Sequence, residues 1–103
     1  MIVILWSASS EKEAKTISRG LIEKRYAACS SMIPKVVSIY GWDGKINESS
    51  EVLVAIKTRP EKYADVERYI IENSAYDTPE IAEIKVTNAL PAYLSWLKQM
   101  VDA

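Results

Sequence analysis

The sequence contains no histidine, no phenylalanine and one cysteine, Cys29, in 103 residues. Without histidine there is no imidazole for general acid–base catalysis and no metal site built on imidazole ligands. A single cysteine cannot close an internal disulfide, which fits a reducing compartment. There is no excess of basic residues: the net charge is −1, so no electrostatic footprint for nucleic acid is expected. No apolar run approaches the roughly 18 residues that suggest a membrane span. The start, Met1 to Trp6, lacks the basic flank and small-residue cleavage site of a secretory signal. It reads as a first strand, and the cytoplasm is the expected location.

What is present is an ordinary globular composition, 49% hydrophobic and 26% charged, long enough for one modest core and one domain over residues 1–103. Its organising feature runs from Ala28 to Thr58. Asp43-Gly44 stands between two apolar runs, and a type I′ turn needs positive φ at both of its central residues. A long β-hairpin follows, with Tyr40 opposite Asn47 and Ser38 opposite Ser49. Pro34 cannot donate to a ladder and marks a bulge or a local edge in the first arm. Val52 to Ile56 is apolar on both faces, so both should be covered. Near the turn, Ile39, Tyr40, Trp42 and Ile46 form an apolar tip that a domain of this size cannot cover alone. An exposed apolar tip points to a contact with another subunit.

The rest of the chain supplies three helices and two strands. Ser10-x-x-Glu13 has the form of a capping box; the helix after it carries Ala14, Ile17 and Leu21 on one face and should end near Arg25. Gly20 weakens that helix by roughly 1 kcal/mol, a loss that close packing against a strand would compensate. Thr58-Arg59-Pro60-Glu61 opens a second helix with Tyr63, Val66 and Ile70 on its buried stripe, ending by Asn73. Glu80 to Val86 reads as a strand. Leu90, Tyr93, Leu94, Leu97 and Val101 give a terminal helix its periodicity. The order β-α-β-β-α-β plus a helix is the split βαβ, or ferredoxin-like, α+β arrangement. One sheet face takes the first two helices. The last helix covers only part of the other face, which again points to neighbouring subunits.

Five segments carry a family resemblance in the right order: Ala27 to Cys29, Val37 to Ile46, Ala55 to Thr58, Tyr76 to Ile81 and Tyr93 to Leu97. Through them the chain resembles the CutA family of divalent-cation tolerance proteins over essentially its whole length. The resemblance implies a ferredoxin-like protomer in a tight homotrimer whose long hairpins pair between subunits. It also implies a role in tolerance of copper and other divalent metals, and an architecture similar to the trimeric PII signalling proteins, which bind ligands between subunits. The chain departs from the family pattern at Asn73, Ser74 and Ala75, where His-Pro is usual, and at Trp6, where some members carry cysteine. The imidazole and thiolate ligands most often discussed for copper are therefore missing, apart from Cys29.

Each candidate residue has a functional and a structural reading. Cys29 is a metal ligand or redox thiol, or, as free cysteine usually is, a small buried hydrophobe. Lys57 faces an anion in a cleft between subunits, or snorkels its amine to water. Glu80 pairs with Lys57 or Arg59, or joins Asp77 on a hard cation; the ion pair is favoured, because two carboxylates make a poor cage for an ion that takes six or more oxygens. Tyr40, Trp42 and Tyr76 stack on a small ligand, or pack subunits together, which is the favoured reading. Asp43, Glu48 and Glu51 read as solvated acids.

Four functions compete. The first is a trimer that binds a divalent cation such as copper, or a small ligand, without catalysis. An enzyme of the acylphosphatase type needs glycine and arginine after the first strand, where Ser7-Ala8-Ser9-Ser10 has neither. An RNA-recognition domain needs aromatics in its central strands, which here carry valine, isoleucine and alanine. A purely structural scaffold is the fourth. The sequence favours the first, with the chain itself as the expected partner, no nucleic acid or membrane, and other protein partners left open.

Overall fold

The computed structural model describes residues 1–102. Strand β1, Ile2–Ala8, is followed by helix α1, Glu11–Glu23. Ser10 caps α1 by accepting the Glu13 amide at 3.1 Å. The return bond differs from a regular capping box: the Glu13 carboxylate takes the amide of Ser9, at 3.0 Å, rather than that of Ser10. Its second oxygen takes the amide of Ala75 at 2.8 Å, tying the start of α1 to a distant loop. The helix stops at Glu23, short of Arg25, because Arg25 adopts φ 59° and turns the chain out of the helix.

Strands β2, Cys29–Trp42, and β3, Lys45–Thr58, form the hairpin. Asp43 and Gly44 have φ of 54° and 73°, as the turn type requires. Tyr40 pairs with Asn47 and Ser38 with Ser49. A strand of 14 residues spans about 46 Å, which accounts for the long axis of 45 Å. The bulge lies at Pro34 and Lys35, where the register shifts between Ile33 and Val36 and Lys35 takes φ 59°. One extra residue reverses which side chains point to which face. Beyond it, Tyr40 and Trp42 share the face of Ile33 and Leu53, while Val37 and Ile39 share the other.

A 3-10 turn over Pro60–Lys62 leads into α2, Tyr63–Asn73, then β4, Ile81–Lys85, and α3, Pro91–Met100. The sheet order is β2-β3-β1-β4, with every neighbouring pair antiparallel. This is the ferredoxin-like arrangement with an added helix. Helices α1 and α2 cover one face. There Ile4, Trp6, Val54 and Ile56 are fully buried against Leu21, Val66 and Ile70, each side chain contributing about 1.5–3 kcal/mol. Gly20 corrects the sequence expectation. It packs against α2 rather than a strand, since a Cβ there would lie 1.9 Å from the Tyr69 hydroxyl.

The opposite face is mostly bare. Val3, Leu5, Leu53 and Ala55 are half-buried, and Ile33 and Ile84 are 60% and 49% exposed. Helix α3 covers only the end of this sheet, through Leu97 and Val101 on Ala28 and Met1. Two arginines hold its C-terminus. Arg59 donates to the Lys98 carbonyl, and Arg25 donates to the Gln99 carbonyl at 2.7 Å and to Asp102 at 2.8 Å. Cations at the last carbonyls answer the negative end of the helix dipole.

Candidate functional site

Antiparallel register builds the site. Cys29 stands directly opposite Lys57, and Lys57 opposite Val3, so all three share the face turned away from α1 and α2, at the end where α3 docks. Ser31, two residues along β2, points the same way. The Lys57 ammonium donates to the Ser31 hydroxyl at 2.5 Å and to the Cys29 sulfur at 3.8 Å. Tyr93 of α3 faces the same thiol: burial, then the proximity of Cys29, raises its phenol above the ordinary range. The result is a cluster of donors, an ammonium, two hydroxyls and a thiol. Among the described residues no ion pair involves Lys57. Cys29 is partly exposed, so it is neither a fully buried hydrophobe nor an open thiol.

The other candidates lie elsewhere. The Glu80 carbonyl accepts the amide of Ser7 at 3.3 Å, and Ser7 is four residues along β1 from Val3, about 13 Å. Cys29 and Glu80 therefore sit at opposite ends of the sheet. The side chains of Asp77 and Glu80 are exposed. Lys57 pairs with Ser31 and Cys29 instead of Glu80, and Arg59 is committed to the α3 terminus and to Glu61, 3.9 Å away. Among the described residues no three of His, Cys, Asp and Glu converge on a point. Tyr76 has its phenol raised by burial and then by the neighbouring Glu51 carboxylate. At the tip Ile39, Tyr40, Trp42 and Ile46 are 65%, 43%, 68% and 84% exposed. An open groove of about 460 Å³, lined by Lys15, Arg19, Ile22 and Met32, lies on the helix side of the sheet, away from Cys29.

Two members of the cluster escaped the sequence reading. Ser31 was within reach, because strand period alone puts it beside Cys29. Tyr93 gave no such signal, since its place depends on how α3 docks.

A ferredoxin-like sheet with a long, bare-tipped hairpin and an added C-terminal helix defines a small protein of the α+β class. The comparisons narrow this. Residues 2–100 match the family described as CutA1 divalent ion tolerance protein, and the chain belongs to that family. It is 39% identical to mouse Protein CutA over 94 residues, 91% of this chain and 53% of the mouse protein. It is 33% identical to the Thermus thermophilus divalent-cation tolerance protein CutA, covering 94% of each. The chain thus spans about half the length of the mouse relative and nearly all of the bacterial one. The solved structure of the Archaeoglobus fulgidus protein, described as a periplasmic divalent cation tolerance protein CutA, superposes with a TM-score of 0.95 at 35% identity, covering 99% of this chain and 100% of that one. The Thermus structure gives 0.95 at 32%, covering 99% and 100%.

Proposed function

We propose that this chain serves divalent-cation tolerance as a cytoplasmic homotrimer that binds a small anionic ligand at Lys57, without catalysis. The observation that carries the ligand class is the Lys57 ammonium, held by Ser31 and flanked by the Cys29 thiol. An ammonium with hydroxyls beside it presents donors to an oxyanion. The trimer rests on the bare sheet face and the apolar tip, where exposed isoleucine and tryptophan need cover. In such a trimer Glu80 and Tyr76 of a neighbouring subunit would wall the cleft, much as in the PII proteins. Cytoplasmic location rests on the lone cysteine; recovery of the native protein in a periplasmic fraction would overturn it.

Copper at Cys29 is the second reading, and the same contact argues against it. A cation approaching the sulfur meets a positive charge a few ångströms away. The test is calorimetric titration of inorganic phosphate and, separately, Cu²⁺ into native protein, Lys57→Met and Cys29→Ser. Phosphate binding should be lost in Lys57→Met, while Cu²⁺ binding should strengthen there by about tenfold, or about 1.4 kcal/mol. Tight Cu²⁺ binding by native protein that vanishes in Cys29→Ser would overturn this reading in favour of copper.

A further inference from the structure

The Cys29 sulfur and the Lys57 nitrogen are 3.8 Å apart, in van der Waals contact, on two paired strands that hold them face to face. Ser31 also accepts from the amine, at 2.5 Å, with its hydroxyl 4.0 Å from the sulfur. The thiol is partly exposed, within reach of a small oxidant. With one cysteine among these 103 residues, its oxidised form has no second thiol of this chain to resolve it. A sulfenic acid in that position is normally resolved by a neighbouring thiol or captured by a nitrogen. Here the nearest nucleophile is the lysine, already in place.

We propose that Cys29 and Lys57 form a peroxide-dependent covalent cross-link, an intramolecular sulfenamide. In the first step the thiol is oxidised by two electrons and hydrogen peroxide is reduced: Cys–SH and H₂O₂ give Cys–SOH and water. In the second, the Lys57 ammonium releases a proton to solvent and the free amine attacks the sulfur. The S–N bond forms as the S–O bond breaks, and the hydroxyl leaves as water with a proton from the amine, giving Cys–S–NH–Lys. Proximity makes the second step effectively unimolecular, so it outruns further oxidation of the sulfenic acid. A thiol reductant returns both side chains, cleaving the S–N bond by disulfide formation in the reductant. The link would join β2 to β3 at the end of the sheet and remove the one positive charge from the donor cluster. Oxidation would thereby close the site, whatever ligand occupies it.

The experiment treats the whole protein with equimolar hydrogen peroxide and measures the intact mass under denaturing conditions, beside Lys57→Arg, which keeps the charge but lacks a nucleophilic amine. Native protein should become about 2 Da lighter, recover its mass with dithiothreitol, and yield one cross-linked peptide containing Cys29 and Lys57. Lys57→Arg should instead gain about 16 Da at Cys29, and about 32 Da when a second equivalent of peroxide is added. A native product that is heavier at Cys29 at the same rate as Lys57→Arg, or a disulfide between two chains in its place, overturns the proposal. Circular dichroism of Lys57→Arg establishes that it is folded. Should that variant fail to fold, Lys57→Gln replaces it with the same expected products. Failure here leaves phosphate binding at Lys57 standing, and loss of phosphate binding leaves this chemistry standing, because the two have separate readouts.

Discussion

At the residue scale, the chemistry of this chain comes from neighbours that register supplies. Cys29 and Lys57 are individually legible as unusual side chains at strand ends, yet their contact follows from hairpin pairing displaced by one residue at the Pro34–Lys35 bulge. The sequence announces the bulge through its proline but not the size of the shift. Glu80 illustrates the converse: charge suggested a pair with Lys57, and the sheet places the two at opposite ends. Trp6 is enclosed with its indole nitrogen unpartnered, a feature that no local pattern foretells. A more local pair gives a measurable consequence. The Tyr63 hydroxyl donates to Glu67 at 2.7 Å, and that bond, with burial and nearby negative charge, pushes the phenol up from 10.0 to about 12. A group held protonated by the fold stabilises it fully below the unfolded value and loses that contribution as pH rises through the folded one. Urea midpoints should therefore fall between pH 10 and about 12, and Glu67→Gln should flatten the fall. An unchanged slope in the variant would contradict the assignment.

At the scale of elements, what could be read locally was read well. Asp43-Gly44 set the turn, apolar runs gave the strands, and Ser10 with Glu13 marked the start of α1. The ends were less legible because long-range contacts decide them: the helix stops early at the left-handed Arg25, and Gly20 answers to Tyr69 on another helix. Helix α3 is the clearest case. Its periodicity is plain, but its docking depends on two arginines from distant turns. Those two should not matter equally. The Arg25–Asp102 pair is about half exposed, at 49% and 56%, and such surface pairs contribute about 0–1 kcal/mol. The Arg59 side chain is 23% exposed and caps the helix from a partly enclosed position. Arg59→Met should cost about 1–2 kcal/mol and speed amide hydrogen exchange over 93–101, while Asp102→Asn leaves both nearly unchanged. Equal effects from the two variants would contradict this ranking.

At the scale of the molecule, one face of the sheet makes a core and the other does not. Apolar residues on both sides of β3 made that asymmetry visible in the sequence, although which residues stay bare depended on the bulge. Isoleucines 33 and 84 on the sheet, with Ile39, Trp42 and Ile46 at the tip, are too exposed for a chain expected to remain in solution alone. A homotrimer that closes over this face and over both sides of the tip, held by apolar contact rather than by metal, is the central proposal. A charge at the tip, Ile39→Asp, should weaken assembly more than any change at Cys29. The most direct measurement is sedimentation equilibrium of the native protein after exhaustive chelation. The expected mass is three times that of the chain. Dissociation to single chains once metal is removed would contradict the claim.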